Sequence, residues 1–442
     1  MLEINSVYQV SIEENNIFSN GICHIDGQVV FVKGAVAEDL CKIKITGVQP
    51  RFAYAEVTEI ISPSKKRVEP SCSAFGTCGG CCFLNIDIEN ELEIKKDYLK
   101  NTFKRHSIDI EIENIVSPVN KKYRNKVVYF FESGQYGYMA SGTNTLVPHN
   151  HCILNEDIFD EIASFTKKEL KDTSIRALYI RKTSHQSPEI MVCPIFYQAT
   201  DIIKYATKLV STFKEVKTVL YSVYDKKDFA LEKVRFKTIY GDGYITDELL
   251  GLKFRISPSS FYQVNHACAS LLYEKAIELA RLDSETTCAD LFCGTGTIGI
   301  LCAKKTGAAI YGVEINEDAI RDAKFNAKLN GVKSISFEAT DAKNFKKSVD
   351  VSIIDPPRKG CSPFMIETVL RIKPKRIVYV SCNADTLARD LKSLLCEYDI
   401  ASPLYPFNMF PRTSHVESVV CLTKKQAKIG SKWAKSSCFE RF

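Results

Sequence analysis

The stretch Asp290-Leu-Phe-Cys-Gly-Thr-Gly-Thr-Ile-Gly299 decides the predicted fold, because it joins a strand-like run to a helix-like run through a glycine-rich turn. Glycines at such a turn let the backbone approach a bound ligand closely. Glu314 ends the next strand-like run, where a carboxylate can accept hydrogen bonds from ribose hydroxyls. The turn therefore predicts a ribose-bearing cofactor, and both a dinucleotide and S-adenosylmethionine fit it.

Strand-like and helix-like runs alternate on both sides of this turn, from about residue 257 to residue 423. The run QVNHACASLLYEKAIELAR predicts a helix, and RIVYVS predicts a strand. Strands that alternate with helices indicate a parallel sheet covered on both faces. The sequence therefore predicts a Rossmann-like domain over residues 257–423.

Two further strand ends favour S-adenosylmethionine over a dinucleotide. One reads Ile354-Asp-Pro-Pro-Arg-Lys-Gly360, where two prolines fix a carboxylate at the ligand crevice beyond the strands. The other reads Val380-Ser-Cys-Asn383 and offers a thiol. A methyltransferase that acts on an unreactive carbon needs this thiol, whereas a nicotinamide oxidoreductase would leave Asp355 and Cys382 without a function.

Methylation of pyrimidine C5 requires one cysteine and one base at the same crevice. Attack of a thiolate on C6 makes C5 nucleophilic, and a base must remove the C5 proton after methyl transfer. Cys382 and Glu417 are the candidates, with an inert buried thiol and a solvated strand residue as the alternatives. A neutral thiol needs a nearby cation to ionise, and Arg358, Arg412 and His415 could provide it.

Four motifs resemble, in order, those of the RNA uracil-C5 methyltransferase family, which makes 5-methyluridine. They are Ser260-Phe-Tyr-Gln-Val-Asn265, Asp355-Pro-Pro-Arg358, Ser381-Cys-Asn383 and His415-Val-Glu-Ser418. The first 60 or so residues resemble the family's RNA-binding TRAM barrel. The resemblance covers nearly the whole chain up to about residue 423.

This resemblance implies a function for individual residues. Cys382 would be the nucleophile, Glu417 the base, and Asp355 would contact the uracil ring or the cofactor. The residues expected to line the S-adenosylmethionine pocket are Gln263, Phe292, Gly294, Glu314 and Asp341. Ala384 departs from the family, which usually has proline there, and this change loosens the turn after Cys382 without removing a reactive atom.

The 17 cysteines include one cluster, Cys72-x5-Cys78-Gly-Gly-Cys81, with Cys82 adjacent and Cys152 about seventy residues further on. Thiolates bind both zinc and iron–sulfur clusters. Three clustered cysteines with a distant fourth are more typical of a cubane, while zinc or no metal remain alternatives. The resemblance implies a [4Fe-4S] cluster on Cys72, Cys78, Cys81 and Cys152, with Cys82 as a bystander.

Most other cysteines stand singly in apolar surroundings and are predicted to fill the core. They are Cys23, Cys41, Cys193, Cys268, Cys288, Cys302, Cys396 and Cys421. The first twenty residues carry glutamates where a signal peptide would carry a basic start and an apolar core. We therefore expect a cytoplasmic protein with reduced cysteines.

The whole chain is predicted to be an α/β multidomain protein. Short alternating runs over residues 1–62 predict an OB-like TRAM barrel. Residues 63–256 mix helix-like and strand-like runs, including a helix over 90–105, and predict a central α+β iron–sulfur domain. The S-adenosylmethionine-dependent methyltransferase domain over 257–423 precedes a basic tail over 424–442.

Composition is typical of a globular protein, with 45% hydrophobic and 25% charged residues, and no apolar run is long enough to span a membrane. The run Lys121-Lys-Tyr-Arg-Asn-Lys126 suits phosphate contact and base stacking, although a solvated basic turn is an alternative.

The resemblance implies an RNA partner, and we expect a monomer. Ribosomal RNA of the large subunit (23S) is preferred over transfer RNA, because the cysteine cluster and the TRAM barrel occur together more typically in ribosomal enzymes of the family. A non-catalytic iron–sulfur RNA-binding protein is a further alternative.

Overall fold

The computed structural model describes residues 2–149, 151–171, 173–226 and 229–426. Within these residues, four sheets follow one another in chain order. Helices flank the second and the fourth, while the third has only two strands. Beyond residue 426, the predicted basic tail lies outside the described residues. Among the described helices, none combines the length and the apolar composition that crossing a bilayer requires.

Six strands form the N-terminal sheet. They are β1 (Val7–Ser11), β2 (Glu14–Asn15), β3 (Gly21–Ile25), β4 (Gln28–Lys33), β5 (Leu40–Val48) and β6 (Phe52–Ser62). They lie in the order β1-β5-β6-β4-β3-β2. The segment that contains β1 and β2 is bent and forms both edges of the sheet, because β1 pairs with β5 and β2 pairs with β3. At the bend, the Ile12 N–H donates to the Asp39 carbonyl and the Glu13 N–H donates to the Ile22 carbonyl. The sheet therefore curls around a buried apolar centre, as the alternating pattern predicts.

The central region combines helices and strands, as predicted. Its elements are α1 (Ile88–Arg105), β7 (Lys126–Glu132), β8 (Gln135–Met139), β9 (Leu146–Pro148), α2 (Asp157–Glu169), β10 (Ile175–Lys182), β11 (Ile190–Phe196), α3 (Ile203–Thr212), β12 (Val216–Val223), β13 (Lys237–Tyr240), β14 (Ile245–Leu249) and β15 (Leu252–Ile256). Seven strands form a sheet in the order β13-β12-β11-β10-β7-β8-β9, while β14 and β15 pair only with each other. Helices α2 and α3 pack against this sheet through one shared apolar core.

The C-terminal region is built on a mostly parallel sheet. Its elements are α4 (His266–Ala280), β16 (Thr287–Leu291), α5 (Thr297–Thr306), β17 (Ala309–Glu314), α6 (Glu317–Leu329), β18 (Ile335–Ala339), β19 (Val351–Ile354), α7 (Pro363–Ile372), β20 (Arg376–Ser381), α8 (Ala384–Leu394), β21 (Tyr398–Ile400), β22 (Tyr405–Phe407) and β23 (Glu417–Lys424). The strand order is β18-β17-β16-β19-β20-β23-β21, with β22 also paired to β23. Strands β16 to β20 are parallel, which confirms the predicted sheet, and β23 runs antiparallel to β20.

Helix α4 begins three residues later than the apolar pattern predicts, because Asn265 caps it. The Asn265 side chain accepts the backbone N–H of Cys268 at 3.2 Å. Such a cap satisfies a donor that has no partner within the helix, and this fixes the helix start. Gln263 consequently lies in an extended segment before the helix rather than in its first turn.

Helix α1 packs on the C-terminal region, although the sequence predicts it within the central domain. Leu99 and Phe103 on α1 share an apolar core with Leu387 and Leu391 on α8. This core also contains residues of β16 and β20. Contacts between distant parts of the chain therefore decide where α1 belongs, and the predicted limits of the central domain remain a prediction.

A buried ion cluster fixes α1 to the loop before β23. Glu91 and Lys95 are fully buried and form an ion pair, with the Lys95 Nζ 2.8 Å from the Glu91 Oε1. The Lys95 Nζ also donates to the Asn408 Oδ1 at 2.7 Å, and the Glu91 Oε1 accepts the backbone N–H of Arg412 at 2.9 Å. The Arg412 guanidinium donates to the carbonyl of Ile86 at 2.8 Å. The cluster thus joins α1, the segment before it and the loop that leads to β23.

Replacing Glu91 with glutamine should destabilise the protein, because the buried Lys95 ammonium would lose its compensating charge. Removal of one partner from a buried ion pair typically costs about 3–5 kcal/mol. We expect a lower midpoint of urea-induced unfolding in Glu91→Gln and a recovery in Glu91→Gln/Lys95→Met, which removes both charges. Lys100→Met is the control, since Lys100 pairs with Asp97 on the exposed side of α1. An unchanged midpoint in Glu91→Gln would contradict this account.

Candidate active site

A buried carboxylate holds the glycine-rich turn between β16 and α5. The Asp290 Oδ2 accepts the backbone N–H of Gly299 at 2.9 Å, and burial raises the pKa of Asp290 to about 7. A Cβ on Gly299 would lie 2.8 Å from that oxygen, so this position requires glycine. Phe292 and Gly294 adopt positive φ angles of 68° and 54°, which turn the backbone at the end of β16. The turn thus has the form that the sequence predicts.

Glu314 is the last residue of β17, and Asp341 lies two residues after β18, at the same edge of the sheet. The Glu314 Oε2 accepts a hydrogen bond from the backbone N–H of Gly294 at 3.3 Å. This bond holds Glu314, the residue predicted to bind the ribose, beside the turn. Asp341 pairs with Lys343, 2.9 Å between the Asp341 Oδ2 and the Lys343 Nζ, and this hydrogen bond keeps the pKa of Asp341 below its usual value. Both side chains are partly exposed, so a ligand can reach them.

Gln263 is buried beside the turn rather than open to solvent. Its backbone carbonyl accepts the Asn125 Nδ2 at 2.9 Å, and its side chain forms a hydrogen bond with Tyr273. Burial is the main cause that raises the pKa of Tyr273. The charge of Asp355, and less strongly that of Glu417, raise it further, so these groups lie close together. Gln263 is therefore held in place from both the central and the C-terminal regions.

The proposed nucleophile and base meet because β20 and β23 are antiparallel neighbours. Cys382 directly follows β20, while Glu417 is the first residue of β23, and Ser381 pairs with Ser418 across the two strands. Asp355 follows β19, the parallel neighbour of β20, so it reaches the same edge. The structure therefore brings together Cys382, Glu417 and Asp355, which the sequence separates by up to 62 residues.

Burial and mutual repulsion favour the protonated forms of these three groups. Burial, and then the charge of Asp355, raise the pKa of Glu417 to about 8. Burial, and then the charge of Asp290, raise the pKa of Asp355 to about 7. Burial, followed by the charges of Glu417 and Asp355, raises the pKa of Cys382 to about 12. A cation in this crevice would oppose all three shifts.

Arg358 is the cation that acts on Cys382, and Arg412 is used elsewhere. Arg358 opposes the upward pKa shifts of both Cys382 and Glu417. One of its guanidinium nitrogens lies 3.0 Å from the His415 Nε2. Burial, and then the charge of Arg358, lower the pKa of His415 to about 4, so the imidazole is neutral and accepts this bond. Arg412 instead binds Glu91 and the carbonyl of Ile86.

Two family models match this chain. Residues 227–425 match the family described as tRNA (Uracil-5-)-methyltransferase, and residues 2–58 match the TRAM domain. An uncharacterized RNA methyltransferase of Oceanobacillus iheyensis is 30% identical, with 95% of this chain and 97% of the relative covered. The chain belongs to the RNA (uracil-5-)-methyltransferase family.

Further relatives agree with this methyltransferase assignment. An uncharacterized RNA methyltransferase of Listeria innocua is 31% identical, with 96% of this chain and 99% of the relative covered. The crystal structure of the Pyrococcus abyssi tRNA (uracil-54, C5)-methyltransferase in complex with S-adenosyl-L-homocysteine is 26% identical and has a TM-score of 0.76. That match covers 94% of this chain and 100% of the other. The TRAM assignment and the methyltransferase fold expected from the sequence are thus confirmed.

The four predicted cluster ligands of this methyltransferase line one cavity of about 360 Å³. They are Cys72, Cys78, Cys81 and Cys152. Within the described residues, no three His, Cys, Asp or Glu side chains converge closely enough to hold a single metal ion. Cys82 does not line the cavity, and its backbone N–H donates to the Arg412 carbonyl at 2.8 Å. This arrangement separates Cys82 from the other four, as the sequence predicts.

Of the eight single cysteines predicted to fill the core, Cys396 is exposed, so that prediction is wrong for this residue. It lies in the turn after α8, where the helix has ended and its apolar face no longer covers the sheet. The other seven are buried, namely Cys23, Cys41, Cys193, Cys268, Cys288, Cys302 and Cys421.

The run over residues 121–126 does not offer a ring for base stacking. Tyr123 is buried, and its hydroxyl donates to the Pro411 carbonyl at 3.0 Å. Arg124 lines the cysteine cavity, and Asn125 donates to the Gln263 carbonyl at 2.9 Å. The run therefore connects the cysteine cavity to the cofactor side of the site, and the stacking prediction is wrong.

Sequence reasoning did not single out Asp290 as a site residue. The structure shows that this acid, buried at the end of β16, holds the turn through Gly299. Its position as the carboxylate immediately before a glycine-rich turn was the available signal, because a buried acid requires a hydrogen-bond donor nearby.

In the cofactor-free methyltransferase, Cys382 should react slowly with iodoacetamide at neutral pH and faster as the pH rises, because only the thiolate reacts. Asp355→Asn should speed the reaction at a given pH, since it removes a negative charge that raises the pKa of Cys382. Peptide mass spectrometry can follow the modification of each cysteine, with the exposed Cys396 as an internal reference. A rate at Cys382 that does not change with pH or with Asp355→Asn would contradict this account.

Proposed function

We propose that this chain transfers a methyl group from S-adenosylmethionine to C5 of uridine in RNA through a covalent adduct with Cys382. The supporting observation is that Cys382, Glu417 and Asp355 meet at the sheet edge that carries the glycine-rich turn. The methyl donor supplies an electrophilic carbon on a sulfonium cation. Family membership supports the uracil base and the C5 position.

In the proposed reaction, the Cys382 thiolate attacks uracil C6, and the C5–C6 π electrons move onto the C4 carbonyl to form an enolate. C5 of this enolate then takes the methyl group, and the electrons of the broken carbon–sulfur bond stay on the donor sulfur. Glu417 accepts the C5 proton, the C5–C6 double bond forms again, and Cys382 leaves as a thiolate. Asp355 would contact the uracil ring or the methyl donor during these steps.

Charge complementarity explains how Cys382 can ionise in so acidic a crevice. A sulfonium cation next to Asp355, Glu417 and Cys382 would lower the pKa of each, because an opposite charge favours the ionised form. Arg358 acts in the same direction on Cys382 and Glu417. Formation of the nucleophile is thus coupled to binding of the methyl donor, which would limit reaction of the thiolate in its absence.

The donor would bind along the strand ends. Glu314 would accept hydrogen bonds from the ribose, and Asp341 would contact the adenine edge. Gln263, Phe292 and Gly294 would line the remainder of the pocket. The target uridine must leave its stack, because the thiolate approaches C6 perpendicular to the ring.

The cysteine cavity fits a [4Fe-4S] cluster on Cys72, Cys78, Cys81 and Cys152. All four cysteines line one cavity of about 360 Å³. Such a space suits a cubane, whose ligands lie further apart than those of a single ion. Bound there, the cluster would brace the segment from Cys72 to Cys81 against the loop that contains Cys152. The uridine chemistry above needs no electron transfer, so a structural function is sufficient.

We propose large-subunit ribosomal RNA as the target, on the basis of the cysteine set together with the TRAM domain. Transfer RNA is the second candidate, and the solved relative from Pyrococcus abyssi, which acts on transfer RNA by name, favours it. Sequencing the RNA that the enzyme traps distinguishes the two.

RNA that contains 5-fluorouridine should trap the enzyme, because fluorine at C5 cannot be removed as a proton. We expect an adduct that survives denaturation, requires S-adenosylmethionine and is absent in Cys382→Ala, as measured by gel electrophoresis and mass spectrometry. Ser381→Ala is the matched control, since the adjacent hydroxyl bonds only to the neighbouring backbone. Methylation of ordinary RNA by Cys382→Ala at the wild-type rate would overturn the mechanism.

Glu417→Gln should accumulate the covalent complex on ordinary RNA, because the methylated adduct keeps its C5 proton and cannot release Cys382. The same gel assay detects this species without fluorinated RNA. Rapid turnover of ordinary RNA by Glu417→Gln would assign the proton transfer to another group.

Cys81→Ser should lose most of the bound iron, whereas Cys82→Ser should retain about four iron atoms per chain. The two residues are neighbours in sequence, but only Cys81 lines the cavity. Iron and sulfide analysis of anaerobically purified protein, together with visible absorption, measures the difference. Equal iron content in the two variants would contradict the proposed ligand set.

A further inference from the structure

Three aromatic rings form a cluster on the N-terminal sheet, and the uridine chemistry does not use them. Phe31 lies on β4, and Phe52 and Tyr54 lie on β6, the parallel neighbour of β4. The ring centroids are 5.7 Å apart for Phe31 and Phe52, 5.4 Å for Phe52 and Tyr54, and 6.0 Å for Phe31 and Tyr54. We call these three residues the ring cluster.

The ring cluster lies on the outer face of the sheet. Val30, Val32, Ala53 and Ala55, which alternate with the rings along the two strands, are buried in the apolar centre. Tyr54 is 47% exposed, and its partner on β5 is Gly47, which has no side chain to cover the ring. The three rings lie outside the apolar centre, so the exposure of Tyr54 beside two half-buried phenylalanines calls for a separate explanation.

Cations surround the ring cluster and have no ion-pair partner among the described residues. Lys33 follows Phe31 on the same face of β4, Arg51 precedes Phe52, and Lys44 lies on β5. None of the three makes an ion pair within the described ranges. On β6, Glu56 lies opposite Lys44 of β5 and Lys33 of β4. It is the one carboxylate that these three strands place next to the two lysines in the described registers. The surface thus combines one exposed and two half-buried rings with excess positive charge.

We propose that the ring cluster stacks unpaired RNA bases while Lys33, Lys44 and Arg51 contact the phosphates. Aromatic side chains beside a positively charged track are the means by which proteins bind single-stranded nucleic acid. A duplex keeps its bases stacked on each other, so the rings can bind only an unpaired segment. This inference rests on the proposed RNA substrate and adds that the enzyme holds a single-stranded segment away from the target uridine.

Tyr54 provides the sharpest test, because its exposure has a close match elsewhere. Tyr54→Leu removes the π face but keeps an apolar side chain, whereas Tyr54→Phe keeps the ring. The matched control is Tyr240→Leu, because Tyr240 on β13 is 48% exposed and lies outside the ring cluster. Fluorescence anisotropy would measure the affinity of the full chain for an unstructured RNA oligonucleotide and for a duplex of equal length, both without S-adenosylmethionine.

We expect Tyr54→Leu to weaken binding of the unpaired oligonucleotide by about fivefold or more, and Tyr54→Phe and Tyr240→Leu to change it by less than about twofold. Duplex affinity should stay the same in all variants. Wild-type affinity of Tyr54→Leu for unpaired RNA would overturn the inference and indicate another partner, such as a protein. An equal loss for duplex and unpaired RNA would overturn it as well.

This binding assay is independent of methyl transfer. If the wild-type protein bound RNA through Tyr54 but never methylated uridine, the proposed function would be wrong and the inference about the ring cluster would be supported. If the enzyme methylated uridine and Tyr54→Leu bound unpaired RNA normally, only the inference about the ring cluster would fall.

Discussion

Antiparallel pairing of β23 with β20 is the constraint on which the site depends. Parallel strands end at one edge of a sheet, so β19 and β20 deliver Asp355 and Cys382 to the same crevice. A further parallel strand would have begun at the opposite edge. Because β23 runs the other way, its first residue, Glu417, lies beside the end of β20. The reversal of one strand therefore places the proposed base, Glu417, next to the proposed nucleophile, Cys382.

The burial of these side chains in one crevice also determines their pKa values. Burial, followed by the charges of neighbouring carboxylates, raises the pKa values of Asp355, Cys382 and Glu417 and so favours their protonated forms. Arg358 offsets part of this repulsion, and its bond to the neutral His415 fixes its orientation. This electrostatic environment suits the cationic methyl donor of the proposed reaction.

Buried polar contacts add to the apolar cores in connecting distant parts of the chain. Glu91 and Lys95 tie α1 to the loop before β23, and the carbonyl of Arg412 in that loop accepts the backbone N–H of Cys82. Asn125 links the segment beside the cysteine cavity to Gln263. The cysteine segment and the strand that carries Glu417 are therefore held in one framework.

Local sequence determined the features that depend on neighbouring residues. The glycine-rich turn follows from backbone freedom at its glycines, and the alternation of strands and helices follows from apolar spacing. Tertiary structure decided what depends on distant contacts. It directed Arg412 to Glu91 instead of Cys382, buried Tyr123 under Pro411, exposed Cys396 and packed α1 on the C-terminal core. Residue type and spacing record the chemistry that a side chain can perform, whereas its burial and partners depend on which distant strands and helices pack against it.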